Sequence, residues 1–94
     1  MTARHKDTVA AVVGKFDPEG ANRYFLFGSS VRGGTFRDID LGVVGNARSG
    51  KQLSTLRDLF YDAPIPYKVD VVDFDLADKE FADHVLHSEP LVWI

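Results

Sequence analysis

The sequence predicts a small α/β (α+β) domain, a mixed β-sheet with helices packed on one face. Three observations carry this. Apolar residues recur at helical spacing in separated segments, short aromatic or β-branched runs lie between them, and the order reads helix, strand, turn, strand, helix, strand, helix, strand. A chain of 94 residues buries about 60–65% of the surface that its unfolded form exposes. With no internal repeat, low-complexity tract or linker, residues 1–94 read as a single domain.

Each element has a local cause. Val9, Val12, Val13 and Phe16 recur at helical spacing after Asp7, the expected N-cap, and Pro18, Glu19 and Gly20 end the pattern. "RYFLFG", Arg23 to Gly28, is too brief for a helix and reads as a buried strand that runs into the turn "GSS". "DIDLGVV", Asp38 to Val44, alternates Ile39, Leu41 and Val43 against Asp38, Asp40, Gly42 and Val44, the period of a strand. Residues 49–62 place Leu53, Leu56, Leu59 and Phe60 on one helical face, and Pro64 and Pro66 separate that helix from a third strand, "YKVDVVDF". Phe81 and Val85 mark a last amphipathic helix. "LVWI" closes the chain as a strand, with Trp93 read as core in preference to a partner surface.

Composition narrows the chemistry. The absence of cysteine removes disulfides, thiolate zinc sites and cysteine nucleophiles. A net charge of -3 argues against a broad electrostatic grip on nucleic acid. No apolar run approaches the roughly 20 residues of a membrane span, and "MTARHKDTV" lacks the apolar core of a secretory signal, so a soluble, cytoplasmic protein without a membrane partner is expected. Arg23, Arg32, Arg37, Arg48 and Lys51 cluster around the first turn and beyond it, which suits a small anion.

The residues that demand explanation are Asp38 and Asp40. With Ile39 and Leu41 facing the helices, both aspartates point to the uncovered face, about 7 Å apart along the strand. Val69 and Val71 take the buried side of the third strand, so Asp70 joins the pair if the two strands are neighbours, whereas Asp73 has the opposite parity and reads as a strand-end residue. Neighbouring carboxylates raise one another's pKa unless a cation neutralises them. Oxygen-only ligands suit Mg²⁺, which binds one or two protein carboxylates together with phosphate oxygens. Two such ions about 3.5–4 Å apart stabilise both the attacking and the leaving oxygen of a phosphoryl displacement. The Ser29 hydroxyl and the backbone amides of "GSSVRGG" are placed to cradle phosphates.

"GSSVRG" followed by "DIDL" resembles the GS…DxD signature of the DNA polymerase beta-like nucleotidyltransferase superfamily. The short chain is similar to its minimal members, the MNT proteins. The resemblance covers almost the whole chain, since "YKVDVVDF" falls where the family has its third carboxylate. It implies the nucleotidyltransferase fold, with Asp38, Asp40 and Asp70 as catalytic Mg²⁺ ligands and Gly28 and Ser29, followed by Arg32 and Gly33, holding a nucleoside triphosphate. It further implies ATP as substrate and a HEPN-domain protein as partner, the chain being the antitoxin that transfers AMP to a tyrosine of that toxin. A homo- or hetero-oligomer is compatible with this reading. Arg37 stands where the family has serine, and the loop between GS and DxD is shorter. These departures keep open an alternative, a catalytically inactive antitoxin that neutralises the HEPN partner by occlusion.

Other readings compete for the same residues. "GNARSGKQ", Gly45 to Gln52, reproduces the G-x-x-x-x-G-K of a P-loop, but Gln52 lacks the hydroxyl that ligates Mg²⁺, and a plain loop with a solvated Lys51 is the simpler account. Asp38 and Asp40 on a polar edge strand, and Gly28 and Ser29 in an ordinary turn, are the bland alternatives. His84 and His87 have a spacing that can meet on one metal but no third ligand nearby, so exposed helix histidines are expected.

Overall fold

Ile39, Leu41 and Val43 are fully buried on one side of the central strand β2 (Asp38–Val44), and that alternation sorts the molecule into two faces. The structure is a computed structural model that describes residues 2–33 and 35–94. Gly34, the last residue of "GSSVRGG", and Met1 lie outside them. The sheet runs β3 (Lys68–Asp73), β2, β1 (Arg23–Phe27), β4 (Val92–Trp93). β2 and β3 pair in parallel, while β1 is antiparallel to both β2 and β4. The mixed sheet and its neighbouring second and third strands are as the sequence predicts.

On the first face, Val9 and Val13 of α1 (Ala3–Phe16) and Leu53, Leu56 and Phe60 of α4 (Leu53–Tyr61) pack against Tyr24, Leu26, Ile39, Leu41, Val43 and Val71. Each such side chain contributes about 1.5–3 kcal/mol by leaving water. A second cluster occupies part of the opposite face, where Phe25 and Phe27 meet Phe74 and, from α5 (Lys79–Ser88), Ala82 and Val85. The closing helix therefore adds a partial cover to the far face of the helix-backed sheet. Gly42 makes room for that cluster. It is the Cα partner of Phe25, and a Cβ there would overlap the Phe25 ring.

Several boundaries move. α1 starts at Ala3 because Thr2 caps it, its Oγ1 accepting from the His5 amide at 3.3 Å, so Asp7 lies inside the helix. The expected helix over residues 49–62 divides into a single turn, α3 (Asn46–Ser49), and α4, with Gly50 at φ 65 between them. Trp93 is not core. Its ring packs on Phe25 at 4.9 Å with the Arg23 guanidinium 4.5 Å from its centroid, and 43% of it stays in solvent. Among the described residues no helix is long and apolar enough to cross a membrane.

A buried polar knot ties the α1–β1 turn to the loop after β2. The buried Asp17 carboxylate accepts from the Ala21 and Asn22 amides, both at 2.8 Å, and from the Tyr24 hydroxyl at 2.9 Å. Asn22 Nδ2 donates to Asn46 Oδ1 at 2.9 Å. Lys51 Nζ stands 3.8 Å from Asp17 and lies over the Phe16 ring, so the lysine of "GNARSGKQ" is engaged within the fold and the P-loop reading fails. Burial pushes the Asp17 carboxyl up. The Asn22 and Ala21 amides, the Tyr24 hydroxyl and the Lys51 charge outweigh it and hold the carboxyl below its ordinary value.

A carboxyl whose pKa is lower folded than unfolded adds stability above the unfolded value, about 3.9, and that stability disappears as pH falls through the folded value. Asp17→Asn should cost about 3 kcal/mol at neutral pH. Urea unfolding between pH 7 and pH 2 should show a shallower acid loss in the variant than in the wild type.

Candidate active site

The outward face of β2 carries Asp38 and Asp40, and the parallel register sets Asp40 directly beside Asp70 and Asp38 beside Lys68. Adjacent strands lie about 4.8 Å apart, so the three aspartates form one patch across two strands. On the other flank of β2, Phe27 is the Cα partner of Asp40. The chain then leaves β1 through Gly28 at φ 79, whose carbonyl accepts from the Val31 and Arg32 amides at 3.1 and 3.2 Å to form the single turn α2 (Ser29–Arg32). A Cβ on Gly28 would collide with Asp40 Oδ2. The GS turn and the D-x-D strand are thus in direct contact, and only glycine allows it. Ser29 heads α2 half-exposed, with its amide among the leading N–H groups that have no partner within the helix, and Gly33 ends the turn.

The charges are only partly balanced. Burial, then the charges of Asp70 and Asp38, hold the Asp40 carboxyl above the ordinary range, against a smaller pull from Arg32. Lys68 Nζ sits 3.4 Å from Asp70 Oδ1. Arg32 itself donates from Nη1 to Glu89 Oε1 at 2.7 Å, so the guanidinium expected on phosphate is tethered to the segment after α5. Arg37 is exposed just before β2. Asp73 pairs with Val43 on the other face, and its Oδ1 accepts from the Asp75 amide at 2.9 Å, the strand-end role its parity predicts.

Among the described residues, no group of three or more His, Asp or Glu stands close enough to hold a metal ion by itself, Asp38, Asp40 and Asp70 included. The donor set still fits a hard divalent cation that brings phosphate ligands of its own. It is oxygen-only, and the repulsion that raises Asp40 is what a cation relieves. Asp40 with Asp38 or Asp70 supplies the one or two carboxylates that such an ion takes from protein. His84 and His87 are exposed on α5, and His84 Nε2 is 4.0 Å from Glu89 Oε2.

Beyond the carboxylates, along the outer edge of β3, lies a cleft of about 780 Å³ lined by Phe60, Tyr61, Ile65, Tyr67, Lys68 and Asp70 among others. Arg57 Nη2 donates to the Val71 carbonyl there at 3.0 Å, covering part of the strand edge. Two site neighbours are additions to the sequence reading. Lys68 was legible, since it lies two residues before Asp70 and shares its face; Glu89 meets Arg32 only through the fold.

Because Asp40 has a higher pKa folded than unfolded, the folded chain holds its proton more tightly, and ionising it as pH rises destabilises the fold. Asp40→Asn should therefore raise Tm at neutral pH by about 2–4 °C, the repulsion being partly screened. Asp70→Asn should bring the Asp40 carboxyl down toward its ordinary pKa, read by carboxyl NMR titration.

The model of the family described as polymerase beta, nucleotidyltransferase, matches residues 18–93, which run from the turn after α1 through the GS turn and both carboxylate strands to β4. No match is found among curated proteins. The family match supports a transferase whose substrate is a nucleoside triphosphate. The chain belongs to the polymerase beta nucleotidyltransferase family.

Proposed function

We propose that the chain is an Mg²⁺-dependent nucleotidyltransferase of the minimal, MNT type that moves AMP from ATP to a hydroxyl of a protein. The acceptor is a tyrosine of a HEPN-domain toxin, for which the chain serves as antitoxin. The carrying observation is the contact of the Gly28 turn with Asp40 while Asp70 stands beside it in register. Bound at Asp38, Asp40 and Asp70, one or two Mg²⁺ ions would neutralise triphosphate charge and polarise the reacting phosphoryl group.

The chain's own residues divide the remaining work. Gly28 and Ser29 hold the triphosphate by backbone and hydroxyl, with Arg32 and Gly33 closing the turn around it. Asp70, on the strand that borders the cleft, orients the acceptor hydroxyl and takes its proton. The acceptor oxygen forms a bond to the α-phosphorus, the bond to the bridging oxygen breaks, and pyrophosphate leaves with the electron pair. An exposed cleft beside the carboxylates, open along the edge of β3, supports a protein acceptor.

A second reading, occlusion of the HEPN partner without chemistry, is favoured by the Arg32–Glu89 pair, which occupies a guanidinium that phosphate would need. Labelled ATP, Mg²⁺ and the protein encoded by the adjacent reading frame, the proposed HEPN partner, separate the two. Transfer to the partner should fall by at least about 100-fold in Asp38→Asn and Asp40→Asn. Toxin neutralisation that persists with no transfer by the wild type leaves only occlusion.

A further inference from the structure

Two aromatic side chains on the carboxylate face are left half-uncovered, Trp93 against Arg23 at the β4 edge and Phe81 nearer the aspartates. Phe25, Phe27 and Phe74 are buried, whereas Phe81 in the first turn of α5 keeps 43% of its surface in solvent. Its ring centroid is 6.4 Å from that of Phe27 and 5.7 Å from that of Phe74, so two buried rings back it. Its backbone is equally fixed, the Phe81 amide donating to the N-cap Asp78 carboxylate at 3.2 Å. Phe27 is both the Cα partner of Asp40 and the residue before Gly28. The exposed ring therefore stands one residue removed from the carboxylates and from the turn. Beyond the far end of α5, Glu89 holds Arg32 at that same turn. Phe81 to Glu89 spans about 12 Å at the helical rise, the scale of a nucleoside triphosphate from base to terminal phosphate.

We infer that Phe81 is the nucleobase platform of the triphosphate site, its solvent face stacking the base while the Gly28 turn takes the phosphates. The inference rests on the nucleotide reading above and adds the subsite for the base. A rigidly backed ring loses little freedom on binding. Stacking is indifferent to base identity because every base has a π-face, so this platform supplies affinity for nucleotides over bare polyphosphate, without choosing among bases.

Calorimetric titration of ATP, GTP and inorganic tripolyphosphate, each with Mg²⁺, into wild type, Phe81→Ala and Phe81→Trp tests this. Phe81→Ala should weaken ATP and GTP about tenfold and leave tripolyphosphate unchanged. Phe81→Trp should retain nucleotide affinity, and its added fluorescence, measured against the Trp93 signal of the wild type, should be quenched by ATP and not by tripolyphosphate. Should Phe81→Ala lose its fold, that quenching decides alone. ATP binding by Phe81→Ala at wild-type strength overturns the platform and leaves the nucleotide reading standing. An equal loss for ATP and tripolyphosphate assigns Phe81 a general structural role and also overturns it. A wild type with no affinity for ATP overturns both.

Discussion

The parallel pairing of β2 with β3 is the constraint on which the site depends. Side chains alternate along a strand, so a slip of one residue in this register would set Asp40 beside a residue of the helix-backed face. The observed register puts Asp40 beside Asp70 and Ile39 and Leu41 beside Val69 and Val71. Burial of those apolar side chains against α1 and α4 enforces the register, and the opposite face receives the carboxylates as a consequence. Hydrophobic packing on one side of the sheet thus positions charge on the other. The Gly28 turn completes the arrangement because it leaves β1 on the far flank of β2 and rests on Asp40 itself.

Charge repulsion is the cost of this arrangement, and the fold contains it locally. Asp40 sits half-buried with its pKa raised by burial and by the two other aspartates, while Lys68 and Arg32 offer partial compensation from the rim. Both cations are solvent-exposed, and surface pairs of this kind contribute at most about 1 kcal/mol. The contrast with Asp17 is instructive. That carboxylate is buried more deeply, yet its hydrogen bonds and Lys51 bring its pKa down. The two environments separate an aspartate satisfied within the chain, Asp17, from one whose charge stays only partly compensated, Asp40.

Local periodicity made much of this legible. The alternation in "DIDLGVV" and "KVDVV" was enough to put Asp38, Asp40 and Asp70 on one face, since strand parity is a property of consecutive residues. Adjacency of the two strands was a conditional expectation that the parallel pairing meets. Features set by distant contacts escaped. The Arg32–Glu89 pair joins residues 57 positions apart, Lys51 reaches back to Asp17, and α5 lies on the far face because Phe25 and Phe27 offer it an apolar seat. The start of α1 was missed because its first turn, "ARHK", carries no apolar stripe and Thr2 caps as well as Asp7 would.

In the proposed site a divalent ion and a triphosphate meet between the β2–β3 carboxylates and the Gly28 turn. Paramagnetic broadening of amide NMR signals by substoichiometric Mn²⁺ in the presence of ATP tests it most directly, because the effect falls steeply with distance from the ion. The signals of Gly28, Ser29, Asp38, Asp40 and Asp70 should broaden first, with those of α1 and α4 spared. Broadening centred on His84 and His87, or on Asp75 and Asp78, with the β2 and β3 signals intact would contradict it.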